Sequence, residues 1–316
     1  VTILSRRGGS GDQPEPDTSQ LSKPAMKTAF LGLGVMGGYM AANLAQGGYD
    51  VKAWNRTRSR PGVAIASDAG AKIVHTIEEA VTEAEVICTC VGDVPDVEEV
   101  ILGPEGVIQF AKPGAIIIDF STIGSAAVHP IASAIASHEM QFLDAPVSGG
   151  DIGAKNGTLT IMVGGDRHSF DTCLPLLETM GKNIRYCGPS GSGQAVKLCN
   201  QVLCSLNMIG LCEAMLLAEH QGIDPQLIVE VCSTGAAGSW ALSNLGEKVA
   251  NNDFAPGFMI RHMVKDLRLV QEAISRELPG VKLADTLFKI VQNLDEGLGS
   301  NQGTQAMIRA YQKPDN

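Results

Sequence analysis

Short apolar runs of strand length alternate with helix-length segments from Thr28 onward, and the first run ends in Gly32-Leu33-Gly34-Val35-Met36-Gly37. The pattern predicts strands over 28–33, 51–54 and 86–91, and helices over 36–47 and 77–82. Further strands are expected over 115–120, 142–147 and 159–163. Strands separated by helix-length connections require parallel crossovers, so the expected fold is α/β, a Rossmann-type doubly wound parallel sheet. The alternation stops near Cys187, and beyond Gly188-Pro189-Ser190-Gly191 the pattern is helical almost to the end, so an all-α domain follows. Its first helix, over 192–221, spans about 45 Å at about 1.5 Å per residue. Val196, Leu198, Val202, Leu203, Leu206, Ile209, Leu211 and Leu216 are spread around most of its circumference. Such a helix is expected to be enclosed by other helices, by the first domain or by another subunit.

Composition narrows the class. A net charge of −10 argues against a nucleic-acid surface, which is ordinarily basic. The eight cysteines contain no CxxC pair, so a disulfide framework is not expected and a reducing compartment is. The most apolar long stretch, 202–218, is interrupted by Asn207 and Glu213 and reads as a buried helix rather than a membrane span. The six histidines show no metal-ligand spacing; His262, three residues before Lys265, is the one best placed to line a cleft. Residues 1–26, with Arg6, Arg7, Gly8, Gly9, Pro14 and Pro16, lack hydrophobic periodicity and read as a disordered extension. The expected organisation is that extension, a dinucleotide-binding domain over 27–187 and a helical substrate and oligomerisation domain over 188–316. The expected assembly is a homodimer or homotetramer. The expected location is the cytoplasm, or an organelle matrix or stroma if the extension is a leader.

Each glycine of the first turn has a physical task. Gly32 permits the tight turn, Gly34 lets a pyrophosphate approach the backbone, and Gly37 allows close packing of helix on strand, while Leu33, Val35 and Met36 complete the cradle. Sites that prefer NAD usually carry an acid about 20 residues on, at the end of the second strand. Here that place holds Asn55-Arg56-Thr57, and Asp50 falls at the wrong end of the strand. Arg56 can pair with a 2′-phosphate, with hydrogen bonds from Asn55 and Thr57, so NADP(H) is expected in preference to NAD(H). The same residues also fit a solvated basic turn.

Two further segments carry candidate chemistry. In Asp144-Ala145-Pro146-Val147-Ser148-Gly149-Gly150, Ser148 and the N–H groups of Gly149 and Gly150 can form an anion pocket for a substrate carboxylate. An ordinary strand and turn would look the same. In Gly191-Ser192-Gly193-Gln194-Ala195-Val196-Lys197-Leu198-Cys199-Asn200-Gln201, Lys197 lies one turn inside the long helix, with Asn200 and Gln201 on its face at i+3 and i+4. A lysine so placed either snorkels to solvent or serves a cleft.

Together with Lys265-Asp266-Leu267, these motifs resemble, in order, those of the β-hydroxyacid dehydrogenase family, which includes 3-hydroxyisobutyrate dehydrogenase, tartronate semialdehyde reductase and the glyoxylate/succinic semialdehyde reductases. The resemblance runs from about Lys27 to the last helices. It implies Lys197 as catalytic acid and base, Ser148-Gly149-Gly150 as the carboxylate site, and an assisting amide at Asn200. It also implies cofactor contacts at Val91, Thr122 and Lys265. Several relatives carry asparagine where Gln201 stands, and many carry proline where Gly92 stands; Gln201 matches the tartronate semialdehyde reductase branch instead. The implied reaction is NADPH-dependent reduction of a small aldehyde acid (glyoxylate, succinic semialdehyde or tartronate semialdehyde), without a metal, nucleic-acid or membrane partner. Oxidation of 3-hydroxyisobutyrate is the alternative, and a non-catalytic dinucleotide-binding relative, which would lack the lysine, the distant one.

Overall fold

Phe30, Cys88, Ile118 and Leu143 face one side of a sheet, and their chain neighbours Ala29, Leu31, Ile87, Ile117 and Phe142 face the other. This period-two split, with both faces apolar, is what a sheet covered by helices on both sides demands. The computed structural model describes residues 26–312. All but one residue of the expected N-terminal extension lies outside them.

Nine strands form one sheet among the described residues. They are β1 (Lys27–Leu31), β2 (Asp50–Trp54), β3 (Lys72–Ile73), β4 (Val86–Thr89), β5 (Ile116–Asp119), β6 (Gln141–Asp144), β7 (Val147–Ser148), β8 (Leu159–Gly165) and β9 (Gly181–Gly188). Helices α1 (Val35–Gln46), α2 (Pro61–Asp68), α3 (Ile77–Val81), α4 (Val94–Leu102), α5 (Val107–Phe110), α6 (Gly124–Ala136), α7 (Gly150–Asn156) and α8 (Arg167–Leu177) connect them. The order β3-β2-β1-β4-β5-β6 is parallel throughout. It reverses direction between β1 and β4, the switch point outside which such sheets bind ligands.

Two features differ from the expected sheet, one in strand direction and one in strand number. β8 runs antiparallel to β6 and β7, with Asp144 opposite Gly164 and Ser148 opposite Thr160. The connection from Ser148 to Leu159 is too short for a parallel crossover, which takes about a dozen residues or more. β9, unread in the sequence, pairs parallel with β8. It is an edge strand bearing exposed Lys182 and Arg185, so it lacks the apolar alternation that marks an interior strand.

The helical half comprises α9 (Ser192–His220), α10 (Pro225–Cys232), α11 (Trp240–Ala250), α12 (Ile260–Glu272) and α13 (Pro279–Gln292), then 3₁₀ turns over Asp295–Asn301 and Thr304–Tyr311. Its core joins Met208, Cys212 and Met215 of α9 to Leu242, Leu267, Val270, Phe288 and Met307. α9 is long and apolar enough to cross a membrane by length and composition alone, yet it packs on α11, α12, α13 and β8. Its enclosure is partial: Val196, Leu203, Leu206 and Leu217 remain exposed. All eight cysteines are free thiols.

Candidate active site

The glycine turn leaves β1 with Gly32 at φ +99°, where a side chain is strained. A Cβ at Gly37 would strike the Gly32 carbonyl, whereas one at Gly34 would meet nothing within 4 Å. The turn is therefore crowded on the protein side and open at Gly34, the shape a pyrophosphate cradle requires. Two contacts that the sequence did not announce hold it. Gly62 of α2 packs so closely that a Cβ there would hit the Leu33 and Gly34 carbonyls. Asn55 Oδ1 accepts from Leu33 N at 2.8 Å while its Nδ2 donates to Thr57 O at 2.6 Å. Asn55 thus ties the turn after β2 to the glycine turn. Arg56 is exposed beside Asp96 and Glu99 of α4, each 3.3 Å from its guanidinium.

The loops after β4 and β5 are joined underneath. Val91 N donates to Ser121 Oγ at 2.9 Å, and Asp119 Oδ1 accepts from Thr89 Oγ1 at 2.7 Å and Ser121 N at 3.1 Å. Burial pushes the Asp119 carboxyl up to about 6. Thr122 follows, and its carbonyl accepts from Lys265 Nζ of α12 at 2.5 Å. Arg268, one turn further on, pairs with Asp93 at 2.8 Å.

Lys197 is buried, and its Nζ donates to Val147 O at 2.8 Å, one residue before Ser148. Desolvation lowers its pKa below the ordinary lysine value, the Asp266 carboxylate opposing. Ser148 ends β7, and Gly149 (φ +132°) and Gly150 (φ +64°) turn the chain into α7. Asn200 Nδ2 donates to Gln201 Oε1 at 2.8 Å, and Gln201 Nε2 donates to Asp266 Oδ2. Asp266 is buried, with Lys265 Nζ 2.8 Å from its other oxygen. Lys197, Asn200, Gln201, Asp266 and Lys265 thus form one polar cluster between the Ser148 turn and the Thr122 loop. Gln201 is buried inside it, holding Asn200 and Asp266 with both ends of its amide.

Asp144 and Gln194, which the sequence shows only as members of motifs, bind the two halves together. Asp144 accepts from Gly191 N at 2.7 Å and Gln194 N at 2.9 Å, capping the start of α9. Gln194, fully buried, donates from Nε2 to Ser121 O at 2.8 Å and accepts at Oε1 from Ile123 N and Gly124 N, each at 3.0 Å. The partners lie 47 to 73 residues away, so no local pattern could have found these roles.

His262 lies in the first turn of α12 against the Phe258 ring. Burial lowers its pKa from 6.5 to about 4, with the Arg261 and Lys265 cations assisting and Asp266 opposing. The folded chain therefore holds a neutral imidazole where the unfolded chain binds a proton. The stability it contributes is present above pH 6.5 and is lost as pH falls through about 4. Asp119 acts oppositely, its contribution being lost as pH rises through about 6. Replacing His262 with glutamine is expected to shrink the loss of melting temperature between pH 7 and 4. An unchanged slope in thermal melts would assign that loss to other groups.

The family model described as the NAD binding domain of 6-phosphogluconate dehydrogenase matches residues 27–188. A second, described as NAD-binding of NADP-dependent 3-hydroxyisobutyrate dehydrogenase, matches residues 191–311. The class that fold and site define is a dinucleotide-dependent oxidoreductase. An uncharacterized oxidoreductase of Synechocystis sp. is 54% identical over 91% of this chain and 98% of its own. The 2-hydroxy-3-oxopropionate reductase of Escherichia coli is 38% identical over 83% of this chain and 90% of its own. The structure of Mycobacterium tuberculosis 3-hydroxyisobutyrate dehydrogenase with L-serine superposes with a TM-score of 0.80 at 32% identity, covering 91% of this chain and all of the other. The chain belongs to the β-hydroxyacid dehydrogenase family, oxidoreductases acting on CH–OH groups.

Proposed function

We propose that the chain reduces a small aldehyde acid to its hydroxy acid with NADPH, Lys197 supplying the proton. The observation that carries this is the buried Lys197 ammonium, held one residue from the Ser148 turn and beside the Lys265–Asp266 pair that reaches the Thr122 loop. NADPH, when bound, supplies the hydride. The Ser148-Gly149-Gly150 turn orients the substrate carboxylate, so that the carbonyl meets the cofactor in a fixed geometry. Lys197 stabilises the charge that grows on the carbonyl oxygen and protonates it. Asn200 and Gln201 keep that side of the pocket polar, and Asp266 holds positive charge favourable beside it. The name of the E. coli relative, 2-hydroxy-3-oxopropionate reductase, supports an aldehyde acid of three carbons among the candidates glyoxylate, succinic semialdehyde and tartronate semialdehyde. A second reading, oxidation of 3-hydroxyisobutyrate, draws support from the same lysine: a lowered pKa favours the neutral amine that removes a hydroxyl proton.

Cofactor choice rests on Arg56. Exposed at the end of β2 with no acid in the turn itself, it is the group we assign to the 2′-phosphate of NADPH, which would compete with Asp96 and Glu99 for it. The test is NADPH oxidation against the three aldehydes, run beside NADH. Arg56→Ala is expected to lower the ratio of NADPH to NADH efficiency by roughly 10- to 100-fold, as for a lost charge-assisted contact. A wild-type preference for NADH would overturn the cofactor assignment, and turnover confined to secondary hydroxy acids would overturn the substrate class. We further propose a homodimer or homotetramer in an aqueous compartment, the exposed apolar side of α9 covered by a second copy of the chain.

A further inference from the structure

We propose that Gln194 is a positioning residue that fixes Lys197 relative to the loop carrying Thr122, so that the proton donor and the nicotinamide side of the cleft move as one body. The inference rests on the reading of Lys197 as proton donor and deepens it. Four backbone atoms of this loop are held by the helical half. Ser121 O, Ile123 N and Gly124 N are held by the Gln194 amide, and Thr122 O by Lys265. Ser125 Oγ adds a bond to Gly191 O at 3.0 Å, just before α9. Gln194 lies three residues before Lys197 on the same unbroken helix, so any shift of the loop against Gln194 is a shift against Lys197.

The residue type is dictated by the task. The site needs one group that accepts from two N–H groups and donates to one carbonyl, at full burial. A primary amide does this; a carboxylate cannot donate, and an aliphatic side chain can do neither. The start of α9 is already held by Asp144. The three bonds of Gln194 therefore add registry between α9 and the loop after β5 rather than the existence of the helix. An error of about 1 Å in such a registry costs on the order of 100-fold in rate.

The test uses the full chain and two variants. Gln194→Leu removes all three bonds at similar volume and is expected to lower kcat about 100-fold. KM for the aldehyde acid should stay within roughly threefold, since the carboxylate turn is untouched. Amide hydrogen exchange at Ile123 and Gly124 should quicken, while the thermal transition stays cooperative. Gln194→Glu donates to Ser121 O only when protonated, so its kcat should recover as pH falls, a limb that wild type lacks. Wild-type kcat in Gln194→Leu, or a wild-type pH profile in Gln194→Glu, would overturn the proposal. If Gln194→Leu does not fold, Gln194→Glu decides. Should wild type turn over none of the aldehyde acids, the functional reading fails by itself. Exchange at Ile123 and Gly124, and NADPH affinity from cofactor fluorescence, then decide the clamp: both unchanged in the variants would sink it.

Discussion

Lys197→Ala is expected to lower kcat for aldehyde reduction by about 10³-fold, within the range found when a positioned general acid is removed. KM should change little, because the Ser148 turn lies on another element and keeps its shape. The variant should also fold. Removing a buried ammonium relieves a desolvation cost, and the bond lost is a single one to Val147 O, so the two effects largely offset. Melting curves beside steady-state kinetics separate chemistry from stability. Near-normal turnover in a folded Lys197→Ala protein would remove Lys197 from the mechanism. The pH profile gives a second check. Reduction needs the ammonium, and burial lowers its pKa, so the wild-type reductive rate should fall on the alkaline side at a pH below the ordinary lysine value.

The largest stability effect is expected at Asp144. Its carboxylate is the sole acceptor shown for Gly191 N and Gln194 N, both buried at the start of α9. A Cβ at Gly164 or Gly193 would run into that carboxylate, so the surrounding chain is shaped around it. Asp144→Ala would leave two buried N–H groups unpaired and is expected to cost about 3 to 5 kcal/mol. Asp144→Asn keeps one acceptor but turns an NH₂ toward the other donor, and should fall between. Urea unfolding midpoints measure both. A midpoint for Asp144→Ala equal to wild type would show that the start of α9 is held by other contacts. Because α9 carries Lys197, a partial loss of order there should reduce turnover before it unfolds the protein.

These two sites differ in what reading the chain by itself can find. Lys197 could be singled out because its clues are local: a lysine one turn into an apolar helix, with amides at i+3 and i+4. Even so, the role proposed for it is implied by resemblance rather than by spacing, since a snorkelling lysine has the same neighbours. The glycine turn was legible for the same reason, with strand, turn and helix contiguous. Asn55 is expected to supply a hydrogen bond to the 2′-phosphate, and the folded chain adds a bond between its amide and Leu33 N, 22 residues back. Gln201 shares the helix face of Lys197, and its amide also joins Asn200 to Asp266, a contact 65 residues away that spacing does not display.

The alternation of strands with helices, the dinucleotide turn and the change to a helical half were decided by the sequence, because periodicity and turn chemistry act over a few residues. Tertiary structure alone decided the antiparallel return of β8, the edge strand β9, the Asp144 cap and the Gln194 bridge. In each of these a backbone group finds a partner far along the chain, and only the packed molecule selects that partner from the many a sequence allows.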